Sequence, residues 1–340
     1  MTLPGPAALL ADLRQEGDLL EKLLRPLSVE DWDLPTPAEG WTIRHQVAHL
    51  TWTERTVLTA LEEPKVFAQL RERFRAEPGV VDRGAAEGAT RSPAEIQASW
   101  QDRRRRVLER LAAVPEGERI PWIGSPMGAA MMASARLMET FAHGQDVRDA
   151  LGAPPVASHR LRHVTHLGVA TRDYAFRQRR LDPPVEPFRV ELNHEDETWT
   201  WGPAEAAQRV HGPALDFALL ATRRRHRQDG NVVAEGHDAD AWLDIVQAFA
   251  GRPGPGRAPL LWTGREVGAG PAGTFLGCGS GGAVGQDAGH PFPTGQELSW
   301  WPPLSGCLLF RVMPIRPGAP PGALSGAGPF PAARTTARQH

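Results

Sequence analysis

Two stretches of the chain carry metal-ligand side chains at helical spacing. His45 and His49 fall in Trp41-Thr42-Ile43-Arg44-His45-Gln46-Val47-Ala48-His49-Leu50, and Glu139 and His143 in Met138-Glu139-Thr140-Phe141-Ala142-His143-Gly144-Gln145-Asp146. Residues four apart on a helix project from one face, about one turn from each other. His49 from one helix with Glu139 and His143 from another would offer two imidazole nitrogens and a carboxylate oxygen. Zinc takes such donors at ~2.0–2.2 Å, and three protein donors leave a fourth position open, as in catalytic rather than structural sites. The flanking Val47, Ala48, Leu50, Leu137, Met138 and Phe141 imply burial, where a carboxylate needs a partner or a metal. Asp146, three residues after His143, is placed to orient a liganding imidazole from the second shell. Two readings stay open at this point. A Glu–His pair at this spacing is by itself ordinarily an intrahelical contact. His45 either joins the site or faces solvent.

Helices must position these groups. Leu9, Leu10, Leu13, Leu19, Leu20, Leu23 and Leu24 recur with helical period over 5–26. A second helix is expected over 43–63, with Thr42 as N-cap and Pro64 as stop, and a short one over 65–76. The Gly/Ala-rich segment 77–91 reads as a loop. Ser92-Pro93-Ala94-Glu95 is a capping-box start for a helix to about Val114, and a fourth long helix runs from about 127 to 151, ending at Gly152. Four long helices suggest a bundle with a site between facing helices. After Pro154-Pro155 the pattern changes. Residues 159–179 look helical, 188–192 and 198–201 alternate as strands around a turn, Val232-Val233 adds a short strand, and helices follow at 213–226 and 238–250. The domains expected are a helical bundle over 1–153, a small α+β domain over 157–251, and a tail over 252–340. About a third of the tail is Gly or Pro, a composition of low complexity.

Bulk composition excludes several classes. The 340 residues are 41% hydrophobic and 23% charged with a formal net charge of −2, so no global field draws in nucleic acid or an anionic membrane. The Arg103–Arg106 and Arg223–Arg225 runs read as solvated helix faces. Cys278 and Cys307 are too few for a disulfide scaffold. Neither a secretory leader nor a long apolar run is evident, so a cytoplasmic location without membrane contact is expected. Trp199 and Trp201 share a strand face and are expected to pack a core. Gly277-Cys278-Gly279-Ser280-Gly281-Gly282 lacks the strand–turn–helix context of a phosphate loop.

The runs Gly40-Trp41-Thr42-Ile43-Arg44 with Ala48-His49-Leu50, and Glu139 with His143 and Asp146, resemble the signatures of the mycothiol-dependent maleylpyruvate isomerase family within the DinB-like superfamily. The resemblance covers about residues 5–250. It implies a DinB-like four-helix bundle followed by a sterol-carrier-like α+β domain, with zinc on His49, Glu139 and His143. It also implies mycothiol as a thiol cofactor, and a small-molecule electrophile isomerised or transferred at the thiolate. Arg44 and Arg55 are weak candidates for binding anionic cofactor or substrate groups. The same open position would equally hold a water for hydrolysis, or serve a metal-binding or stress-response protein without turnover. His45 stands where family members commonly carry an acid, and the tail has no counterpart in the family pattern.

Overall fold

The computed structural model describes residues 5–77 and 79–251, with Gly254 and residues 256–260; the reading of the tail as disordered, with Cys278, Cys307 and the glycine-rich run, lies outside these. The helical part comprises α1 (Pro6–Leu24), α2 (Ile43–Glu62), α3 (Pro64–Ala76), α4 (Val80–Ala89), α5 (Pro93–Ala112) and α6 (Ala129–Ala150). Then come α7 (Leu161–Ala170) and α8 (Arg172–Gln178), the strands β1 (Phe188–His194), β2 (Glu197–Trp201) and β3 (Gln208–Pro213), α9 (Ala214–Ala221), β4 (Val233–Glu235) and α10 (His237–Ile245). The architecture is therefore mixed: an N-terminal helical region and a small C-terminal unit of sheet and helices. No helix among the described residues is long and apolar enough to cross a membrane.

Local chemistry sets the helix starts. At α5, Ser92 N–H and Oγ donate to Glu95 Oε2 at 2.9 and 2.6 Å while Glu95 N–H returns a bond to Ser92 Oγ, the reciprocal capping box. At α2, Thr42 N–H and hydroxyl both reach His45 Nδ1, at 3.2 and 2.9 Å. His45 thus does the work of the usual Glu in a capping box, holding a free donor of the helix entry.

The long helices pack in pairs, α1 against α5 and α6, and α2 against α5 and α6. Helix α6 buries Met132, Ala133, Leu137, Met138, Phe141 and Val147 together with polar Thr140, Gln145 and Asp146, so it is enclosed on nearly every side. One apolar core runs from Leu9, Val57 and Leu137 through Leu161 and Val164 to Val190, Trp201, Phe217 and Trp242. A second surrounds Trp32, Ile43, Trp100 and Val147. The sheet order is β2-β1-β3-β4, with β1 and β3 parallel and the outer pairs antiparallel. Trp199 and Trp201 are buried on its inner face.

Four expectations need correction. Residues 77–91 are not a loop: α4 fills most of them and lies against α2. Glycine lowers helix propensity, but here it permits close approach, because a Cβ on Gly88 would stand 2.9 Å from Ala48 Cβ and one on Gly84 2.6 Å from Trp52 Nε1. The sequence does not announce strand β3, because Gln208-Arg209-Val210-His211-Gly212-Pro213 holds a single strongly apolar residue; its pairing with β1 is a tertiary effect. Accordingly α9 begins after Pro213 and ends at Ala221, well short of 226. The expected helix over 159–179 is divided near Thr171 into α7 and α8.

Removing the close approach tests the packing of α4. Gly88→Ala should gain ~1 kcal/mol from helix propensity but lose ~1–3 kcal/mol to overpacking against Ala48. A net fall in the urea midpoint is expected; a rise would show that α4 does not seat on α2 as described.

Candidate metal centre

Helices α2 and α6 bring His49, Glu139 and His143 together. One donor atom from each lies within 4.8 Å of the others. His49 Nε2 is 3.4 Å and His143 Nε2 3.3 Å from Glu139 Oε2. Bonds of ~2.0–2.2 Å to a tetrahedral ion put donor atoms ~3.3–3.6 Å apart, so these two edges already have the required length. The side chains of His49, His143 and Glu139 are 8%, 12% and 21% exposed, which leaves the carboxylate edge as the approach from solvent.

The proton positions are set from outside the cluster. Thr36 Oγ1 donates to the Trp41 carbonyl at 2.8 Å, an oxygen that can only accept. Its lone pair then accepts from Gln46 Nε2 at 2.8 Å, which turns Gln46 Oε1 toward His143 Nδ1 at 2.6 Å. The proton of a neutral His143 therefore sits on Nδ1, and the bare Nε2 lone pair faces Glu139. Burial, with the charges of His49 and Arg224, pushes His143 down to about 4 against the pull of Glu139. Burial would raise the Glu139 carboxyl, but wherever His143 and His49 present a proton to it their hydrogen bonds, with the charge of Arg136, outweigh burial and hold it well below the usual range; the carboxylate is stable beside positive charge and not beside bare lone pairs. A neutral imidazole lone pair and a carboxylate at 3.3 Å repel each other unless a cation lies between them. The donor set thus fits a divalent ion. His49 Nδ1 is buried with no hydrogen-bond partner among the described residues.

Aromatic rings wall the cluster. Trp41 lies 6.0 Å from the His143 ring at 18° and 5.3 Å from the His49 ring. Trp52 stacks on His49 at 6.1 Å and lies 5.3 Å from Phe74, ring centre to ring centre.

Other sequence candidates sit elsewhere. His45 caps α2 and stands outside the donor cluster. Asp146 Oδ2 is 3.8 Å from His143 Nδ1, but Gln46 holds that proton. Asp146 instead takes Arg224 at 2.8 and 3.3 Å and Arg257 at 2.5 Å. Arg44 is committed to Asp33 at 2.5 and 3.2 Å and to the Arg91 carbonyl. Arg55 is exposed among Arg91, Arg103 and Arg106. Of the basic runs, Arg105 pairs with Asp102 and Glu109, Arg106 with Glu62, and Arg104 with Asp18 and Glu21 of α1.

Sequence reasoning missed Gln46, one turn before His49 on the same helix, and two buried charges, Glu54 and Arg136. Glu54 is 3% exposed with an unpartnered Oε2, beside a cavity of about 10 Å³ that Trp100, Arg104 and Thr140 also line. Burial, with Glu139 adding to it and Arg136 and Arg104 opposing, pushes its carboxyl up to about 7.

The family model for the N-terminal domain of mycothiol maleylpyruvate isomerase matches residues 13–148, which include all three donors. A model for wyosine base formation matches residues 184–233. Two proteins of Mycobacterium tuberculosis, one from each of two strains and both described as uncharacterized, are 53% identical over 259 residues, 76% of this chain and 100% of each relative. Among solved structures, the mycothiol-dependent maleylpyruvate isomerase and a histidine-to-alanine mutant of it superimpose with TM-scores of 0.48 and 0.49. Identity is 16%, covering 69% of this chain and 95% of theirs.

Two outcomes are expected. Gln46→Leu removes the acceptor that fixes His143 and should weaken divalent metal binding ~10–100-fold without changing its stoichiometry, measured by competition with a chelator. For Glu54 the sign follows from linkage: its folded value near 7 exceeds the ordinary 4.5, so the folded state binds more protons between them and stability falls as pH rises through that window. Glu54→Gln should therefore leave stability at pH 4 nearly unchanged and raise it at pH 8 by about 3 kcal/mol. Parallel denaturant curves showing no pH-dependent difference would contradict the burial of an unpaired carboxylate.

Proposed function

The chain belongs to the mycothiol-dependent maleylpyruvate isomerase-like, DinB-like family, and from that premise we propose that it is a zinc-dependent enzyme presenting a thiolate, that of mycothiol, to an electrophilic small molecule for isomerisation or transfer. The observation that carries this reading is the pair of 3.3 and 3.4 Å contacts by which imidazoles from two helices converge on one carboxylate with an exposed edge. His49, Glu139 and His143 would hold the ion. An ion there supplies a fourth position at which a thiol loses its proton more readily than in water.

The protein's own groups contribute in separable ways. Gln46 keeps His143 in the tautomer that binds through Nε2. Trp41 and Trp52 screen the imidazoles from water, which strengthens electrostatic interactions inside the site. The exposed side of Glu139 is the edge over which a thiol and its acceptor would come in. Asp146, pinned by Arg224 from beyond α9 and by Arg257, ties α6 to the α+β part, which would correspond to the family's sterol-carrier-like domain.

The purified chain should contain one divalent ion, and the zinc form should bind mycothiol in calorimetry with a stoichiometry near one. Metal-free protein and the His143→Ala variant should bind none. Full metal occupancy in His143→Ala would refute the ligand set. Stoichiometric zinc with no thiol binding would refute the thiol chemistry while leaving the metal centre intact.

A further inference from the structure

Arg136 lies on α6 three residues before Glu139, and side chains so spaced share a helix face ~5–6 Å apart at Cβ. It is 4% exposed. Its guanidinium carbon sits 5.5 Å from the centre of the Trp122 ring. Neither Nε nor Nη1 meets an acceptor among the described residues. Other arginines of the chain differ: Arg44, Arg104, Arg160, Arg224 and Arg257 each grip a carboxylate. The carboxylates that feel the charge of Arg136 are Glu54 and Glu139. Glu139 is directed to the two imidazoles, and Glu54 is held back from ionising by burial. A buried guanidinium with no hydrogen-bonded counter-charge is costly, and the ring face of Trp122 offsets only part of that cost.

We propose that Arg136 is an anion-recognition residue of the metal centre, its planar fork taking a carboxylate or similar planar oxyanion of the molecule that enters over Glu139. A guanidinium suits this because its paired N–H groups match the two oxygens of such a group. The proposal deepens the functional reading, resting on the metal centre as the place where that molecule is handled: the anion is anchored one helical turn from the carboxylate ligand, and the rest of the molecule is directed to the open side of the cluster. Arg136 binds and orients.

The test uses the full chain, zinc-loaded and metal-free, with benzoate as the probe in calorimetry. Wild-type protein should bind benzoate in both forms. Arg136→Met, which keeps length and packing on Trp122, should bind at least tenfold more weakly with metal content unchanged, and Arg136→Lys should retain part of the affinity. Equal affinity in wild type and Arg136→Met overturns the proposal. So does binding that vanishes with the zinc whatever stands at 136, since the anion then sits on the metal. Failure of the wild type to bind benzoate at all overturns it too. Should Arg136→Met not fold, wild-type crystals soaked in 4-bromobenzoate decide: a carboxylate within hydrogen-bond distance of Arg136 supports the proposal, and one placed only elsewhere overturns it. Benzoate recognition alongside absent mycothiol binding would sink the thiol reading and leave the anion site standing.

Discussion

A carbonyl oxygen cannot donate, and from that constraint the orientation of the whole centre follows. The Trp41 carbonyl accepts from Thr36, Thr36 accepts from Gln46, and Gln46 accepts from His143. Each link has only one direction open once the first is fixed. The chain ends by turning a bare imidazole nitrogen toward a carboxylate, and the resulting clash of two acceptors is what a cation relieves. The relay runs through the segment before α2, within α2, and across to α6, so the centre is oriented only when those parts are docked. Its members Thr36 and Gln46 are buried, where a broken link leaves a polar group without water to replace it.

Helix α6 carries two of the three donors, and its enclosure explains how they are held. Its apolar side chains enter the core shared with the sheet, while Val147 enters the core around Trp100. Asp146 is locked by two guanidiniums from later in the chain. Rotating α6 to misplace Glu139 or His143 would disturb all of these contacts together. Helix α2 is also held by α4, whose glycines lie close to Ala48 and Trp52, the neighbours of His49 in sequence and in space.

The donors were legible because helical spacing is a local property: Glu139 and His143 project from the same side whatever surrounds them, and His49 stood in a matching apolar frame. The long helices were legible for the same reason, through leucine periodicity and the Ser92–Glu95 cap. What could not be read depended on partners remote in the chain. Gln46 looks like any polar helix residue until His143, 97 positions away, supplies its proton. Helix α4 has glycine where propensity argues against a helix, and only the surface of α2 makes those glycines favourable. Strand β3 has one apolar anchor and is a strand because β1 lies beside it. His45, read as a possible neighbour of the metal, is explained by an unusual use of imidazole at a helix N-terminus, which spacing alone does not distinguish from ligation.

Buried polar groups are partnered in most of this molecule and unpartnered beside the three donors. Where arginine and carboxylate serve packing, they meet: Arg160 reaches Glu16 at 2.6 Å and Arg224 grips Asp146. Within the bundle beside the donors, Glu54 and Arg136 each retain unpartnered atoms, and no hydrogen bond joins the carboxyl, which burial holds back from ionising, to the guanidinium. A sequence shaped only for stability would close that pair or replace both groups with apolar ones of similar volume, often at no loss. Departures from internal consistency of this kind concentrate at functional sites. Here they border the one cluster of donors among the described residues that suits a metal ion, and the two observations are independent, one resting on donor spacing and the other on missing partners. Their coincidence on one stretch of α6 is what singles out that face as the candidate site.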